Sequence, residues 1–179
     1  MRKIIILFFA ILVNFNLWGC QPSKPNKMLV PDSIVCKQLG TSLAQLLSSP
    51  STVKCYAVRN VRQPSETDFA FTENFVLGEL ITKLSSQEAA ILEFLIPSNK
   101  ANYHVNPVKV KSPYMPRLAF EFAKGKKKAW LLVSLANMSW SIYYDGKTQF
   151  TYDYVERDVI ERFCNYYIQQ QQQVQKDKR

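Results

Sequence analysis

LAFEFAKGKKKAWLLVSLANMSWSIYYDGKTQFTYD, residues 118–153, decides the fold of this chain. Leu118, Phe120 and Phe122 alternate with Ala119, Glu121 and Ala123. That period of two places successive side chains on opposite faces of a strand. Lys124-Gly125-Lys126 follows as a turn, and residues 129–135 (AWLLVSL) are apolar nearly throughout, as a central strand buried on both faces is. Beyond a weaker turn at Asn137-Met138, Trp140, Ile142 and Tyr144 alternate with Ser139, Ser141 and Tyr143. Asp145-Gly146 is the residue pair a tight hairpin favours, and it leads into Phe150 and Tyr152. Four strands joined by turns this short predict an antiparallel meander.

On the N-terminal side the period changes. Asp32 or Ser33 caps a predicted helix over residues 34–48, where Val35, Leu39, Leu43, Leu46 and Leu47 form one apolar stripe. Gly40 lies inside it at a cost of about 1 kcal/mol, and Pro50 stands beyond its end. Residues 52–62 read as a strand with Val53, Cys55 and Ala57 on one face, and residues 69–84 as strand or irregular extended chain. Ser85 and Glu88 form a capping box. Ala89, Leu92, Glu93 and Ile96 follow it at helical spacing, with Pro97 as the stop. After the meander, Val159, Ile160, Phe163, Tyr167 and Ile168 line one face of a helix over residues 155–168, with Cys164 at the border of the stripe as a semi-buried thiol. Gln169–Gln173 and the charged end prolong or fray this helix, and residues 171–179 are read as a polar tail without a role in the fold. The expected fold is α+β: an antiparallel meander of about four to six strands packed against two to three helices, in a single domain over residues 32–170.

The N-terminus carries an address. Arg2 and Lys3 precede an unbroken apolar run over residues 4–13, shorter than the roughly 20 residues a transmembrane helix needs. Leu17-Trp18-Gly19-Cys20 then resembles the lipobox of bacterial lipoprotein signal peptides, with Trp18 in a slot that usually takes a smaller residue. The resemblance implies cleavage before Cys20, lipid on Cys20, and a signal peptide over residues 1–19. Residues 20–31, polar and interrupted by proline, suit a tether between lipid and domain. Gln21, not aspartate, follows Cys20; by the same resemblance this implies the outer membrane, with the domain facing the periplasm. Residues 77–153 are similar in pattern to small bacterial envelope lipoproteins, a likeness that implies no activity.

Without Arg2 and Lys3, 21 basic residues face 14 acidic ones, a net charge of +7. A basic envelope protein is drawn to anionic head groups, whereas nucleic acid is not an expected partner for an exported chain. With Cys20 lipidated, Cys36, Cys55 and Cys164 allow at most one bridge, and Cys36–Cys55 is the pair nearest in sequence. No cysteine or histidine spacing suits zinc, and neither a metal nor another cofactor is expected.

Candidates for catalysis are few. His104 is the single histidine; a Cys55–His104 nucleophile pair is conceivable across a sheet, yet Cys55 falls in mid-strand, away from any helix N-terminus that would activate it. Carboxylates are scattered, and no phosphate-binding glycine loop is present. Two surface features point to binding instead. One is the cationic turn with Lys126, Lys127 and Lys128; the other is the aromatic strand with Trp140, Tyr143 and Tyr144, since Tyr and Trp are favoured at recognition surfaces. The expected function is therefore a lipid-anchored, non-catalytic binding or accessory protein of the envelope, held to the membrane through Cys20 and meeting an envelope protein partner. The alternatives are an inhibitor or immunity lipoprotein against an envelope-targeted enzyme, and a thiol-dependent envelope hydrolase.

Overall fold

The structure is a computed structural model that describes residues 31–103 and 113–177. The signal segment, Cys20 and the tether to residue 30 lie outside the described residues, as does His104. Six antiparallel strands form one sheet: β1 (Thr52–Asn60), β2 (Phe75–Lys83), β3 (Leu118–Lys124), β4 (Lys127–Ser134), β5 (Ser139–Tyr144) and β6 (Lys147–Asp153). Their order is β2-β1-β3-β4-β5-β6, so the expected meander forms one flank and the β1–β2 hairpin is added beside β3. The α+β architecture read from the alternation is the one observed. At the β5–β6 hairpin, Asp145 (φ 54°) and Gly146 (φ 77°) are both left-handed, the geometry that fits the twist of the flanking strands.

Among the described residues, four α-helices accompany the sheet: α1 (Ser33–Leu39), α2 (Thr41–Ser48), α3 (Ser86–Leu95) and α4 (Arg157–Asp177). The fourth arises because the expected helix over residues 34–48 is two. Gly40 adopts φ 79° and ψ 148°, a backbone state open essentially to glycine, and it ends α1 and opens α2. The break leaves the stripe intact: Val35, Leu39, Leu43, Leu46 and Leu47 are all buried. They pack with Val53, Cys55, Phe120, Phe122, Leu131, Trp140 and Ile142 in the main core. α4 lays Ile160, Cys164, Tyr167 and Ile168 on that core. Cys164 is thus fully buried rather than at a border, whereas Val159 is exposed. The glutamine run prolongs α4, as one of the two expected outcomes had it, and Gln171 Nε2 donates to Glu79 Oε1 on β2 at 2.7 Å, a contact with the sheet that was not expected.

The second face of the sheet is also covered. Residues 69–71 bond back to the start of β2 (Leu77 N to Phe69 O, 2.8 Å; Phe71 N to Phe75 O, 2.9 Å) and fold across Trp130 and Tyr143. Phe71, Ala119, Trp130 and Leu132 form a small second core with Tyr56, Tyr114 and Tyr143 against it. Asp68 holds the approach to this strap. It accepts from Ser65 N and Ser65 Oγ and pairs with Arg59 at 2.6 Å, and these contacts hold its carboxyl below the usual carboxylate range.

Candidate functional site

The residues expected to form a binding surface do not come together. Trp140 points into the main core and is fully buried, its ring against Tyr103 and Tyr152. Strand alternation sends Tyr143 to the other face, half-buried under Phe69 and Phe71, while Tyr144 packs beside the main core. The aromatic strand is therefore covered on both faces, fully at Trp140 and in part at Tyr143 and Tyr144, because the main core lies on one and the 69–71 strap on the other. The lysines are exposed as expected. Lys126 and Lys127 extend from the β3–β4 hairpin, and Lys128 pairs with the buried Glu121 carboxylate at 3.1 Å.

The cysteines are also corrected. Cys36, Cys55 and Cys164 are free thiols, and Cys36 Sγ lies 3.8 Å from the Pro31 carbonyl rather than on Cys55. Burial pushes the Cys55 thiol far up, with Cys164 adding to the effect, and pushes Cys164 up to about 12. A nucleophilic cysteine needs the opposite shift.

What the described residues do build is a cleft of about 730 Å³ at one end of the sheet. Its walls are the chain from the end of α2 into β1 (Ser48 to Val53), the β2–α3 junction (Lys83 to Ser86), one face of α3 (Ala89, Ala90, Glu93) and Lys124. Backbone bonds fix these walls: Ser51 N to Ala123 O at 2.8 Å and Leu84 N to Val53 O at 3.0 Å. The capping box sets the direction of α3. Ser85 N donates to Glu88 Oε2 at 2.8 Å and Glu88 N to Ser85 Oγ at 3.3 Å, while Tyr167 Oη on α4 donates to Glu88 Oε1 at 3.1 Å. These bonds from Ser85 and Tyr167 keep the Glu88 carboxyl below the usual carboxylate range.

With α3 so placed, its buried stripe includes one acid, Glu93, only 7% exposed. Among the described residues its carboxylate has no protein hydrogen bond or ion pair, its oxygens meet the solvent of the cleft, and it is the one acidic residue lining that cleft. Burial pushes its pKa up to about 7, from an ordinary value near 4.5. The helical spacing of Glu93 with Ala89, Leu92 and Ile96 was the available signal for this site, a carboxylate on an apolar stripe.

Around the cleft the charge reverses. Lys83 and Lys124 line it, and strand register adds Lys54 opposite Lys83 and Lys127 opposite Lys124. Lys54 also stands opposite Glu121 of β3, an opposite-charge pairing that offsets the like-charge pairing with Lys83. Lys124 Nζ also donates to Ser49 Oγ at 2.9 Å, and that hydroxyl donates to the Gln45 carbonyl at 3.0 Å. A serine–lysine nucleophile pair needs a desolvated lysine. Lys124 is exposed, so this pair instead ties the hairpin to the end of α2.

No group of three or more metal-ligating side chains is found among the described residues, and none of their helices is long and apolar enough to cross a membrane. No family model matches the chain, and no curated protein or solved structure matches it.

Proposed function

We propose that this chain is a lipid-anchored, non-catalytic binding protein of the bacterial envelope, held at the membrane by lipid on Cys20 with its domain facing the periplasm. The order of segments carries the reading: basic Arg2 and Lys3, a ten-residue apolar run, Leu17-Trp18-Gly19-Cys20, a polar tether, and then a domain whose first helix is capped by Asp32. Several acyl chains on one cysteine, at about 0.8 kcal/mol per buried methylene, hold a protein firmly at a bilayer. Binding is favoured over hydrolysis by the make-up of the cleft. Among the described residues it offers a single carboxyl where glycoside cleavage uses two, and the raised thiols of Cys55 and Cys164 are poor nucleophiles.

The test is to feed a bacterium expressing the chain an alkyne-bearing palmitate analogue and separate inner from outer membranes. The reading expects label on the wild-type protein in the outer-membrane fraction and none on Cys20→Ser. An unlabelled wild-type protein that fractionates with the soluble periplasm would overturn it.

A further inference from the structure

We propose that Cys55 on β1 and Cys164 on α4 become joined by a disulfide in the envelope, which ties the last helix to the middle of the sheet. The inference rests on the envelope reading above, which supplies the oxidising compartment, and is independent of the lipid on Cys20.

Both thiols are fully buried, and both belong to the main core. Phe120 brings their elements together. It stands opposite Cys55 in the β1–β3 register, so the two side chains share the core face of the sheet. Its ring meets Phe163 at 6.1 Å and Tyr167 at 5.9 Å, the residues one before and three after Cys164 on α4. Ile160, Cys164 and Tyr167 form the innermost stripe of that helix, all fully buried. Cys55 and Ala57 are small, and α4 comes close over them. Its Cα atoms approach those of β1 to within 8 Å, a range that includes the roughly 4.4–6.8 Å across a disulfide. The two thiols also act on one another: after burial itself, Cys164 is what pushes the Cys55 thiol up, and such coupling acts between near neighbours. Cys36 stands apart from this pair, half-buried on α1 with its Sγ toward the Pro31 carbonyl.

The bond forms by exchange with a disulfide-bearing donor of the envelope. The thiolate of one cysteine attacks a donor sulfur, making a mixed disulfide and releasing the first donor thiol. The other cysteine then attacks the mixed disulfide; the Cys55–Cys164 bond forms and the second donor thiol leaves. The donor disulfide takes up the two electrons, and its two thiols carry away the two protons. In the finished fold both sulfurs are enclosed and poorly ionised, so the exchange belongs to the chain before α4 docks. The same enclosure afterwards shields the bond from reductants. The closed loop runs from β1 to α4 and spans most of the domain, so the bridge removes much freedom from the unfolded chain.

The experiment is thiol mapping of the protein purified from bacterial envelopes in uncharged detergent. Free thiols are blocked with N-ethylmaleimide in urea without reductant, and the digested peptides are weighed. The expected result is a block on Cys36 alone and a linked pair of Cys55 and Cys164 peptides that dithiothreitol separates. Dithiothreitol should also lower the melting temperature of the wild-type protein by at least about 5 °C. The double variant Cys55→Ala with Cys164→Ala should show no such fall.

Lipidated protein with Cys55 and Cys164 both free would overturn the proposal and leave the anchored reading standing. A bridge that includes Cys36, or a melting temperature that reductant does not move, would overturn it as well. A second arm supplies the donor without the envelope: the reduced chain, unfolded in urea, is diluted into oxidised and reduced glutathione. Linkage of Cys55 to Cys164 there supports the bridge even where Cys20 carries no lipid in cells, and three free thiols there refute it.

Discussion

Replacing Glu93 by glutamine should stabilise the protein, and do so increasingly as pH rises. In the unfolded chain the Glu93 carboxyl titrates near 4.5, whereas in the fold burial holds it near 7. Between those values the folded state binds more protons than the unfolded state, so stability falls as pH rises through the interval. Below pH 4.5 the carboxyl is neutral in both states and the penalty is absent. Above pH 7 it is charged in both, and the full penalty applies. At 1.36 kcal/mol per pH unit the interval corresponds to about 3 kcal/mol, of which roughly 2 kcal/mol develops between pH 5.5 and 8. Glutamine does not titrate. Its own constant cost of burial cancels when the variant is compared with wild type at two pH values.

The assay is urea unfolding of both proteins at pH 5.5 and pH 8. The free-energy difference between Glu93→Gln and wild type should grow by about 2 kcal/mol in favour of the variant. For a domain of this size that corresponds to a relative rise in melting temperature of roughly 4–8 °C. A difference independent of pH would refute the reasoning, because Glu93 would then have to be fully solvated or paired in the fold.

Other perturbations report on the scaffold. Trp140→Ala should cost about 3–5 kcal/mol in urea unfolding, since the ring is fully buried between Tyr103 and Tyr152. Among the described residues its Nε1 has no hydrogen-bond partner, so Trp140→Phe, which removes that donor, should cost far less; equal losses would show the nitrogen to be satisfied. Gly40→Ala should lose about 1–3 kcal/mol purely through the backbone, because an added Cβ meets nothing within 4 Å at φ 79°. An unchanged urea midpoint would mean that α1 and α2 join without that kink. Brief alkylation of the native protein at pH 8 should modify Cys36 and spare Cys55 and Cys164, as read by peptide mass spectrometry. Rapid labelling of Cys55 would reopen thiol chemistry.

The parts of the fold that were legible in the sequence are those where one local rule acts alone. Alternation from Leu118 to Tyr144 gave the meander, Asp145-Gly146 its last hairpin, and Ser85 with Glu88 the start of α3. The break at Gly40 was not legible, because a helix interior tolerates a glycine at modest cost and only the tertiary packing of two stripes selects the kink. Nor was the covered second face, since Phe69 and Phe71 come from a segment without periodicity. Period two separates Trp140 from Tyr143 but does not say which face is covered; here Trp140 is fully buried and Tyr143 and Tyr144 are partly covered, so the three do not share one open aromatic surface. The cleft was not read from the sequence: Glu93 was placed on the apolar stripe of α3 without a role, and the walls from α2, β1 and the β2–α3 junction meet only in the tertiary fold.

The most direct test of the anchored binding protein is the intact mass of the mature chain purified from bacterial membranes. The account predicts a polypeptide beginning at Cys20 and heavier than residues 20–179 by the mass of its acyl groups. A chain that retains residues 1–19, or begins elsewhere without added lipid, would contradict it.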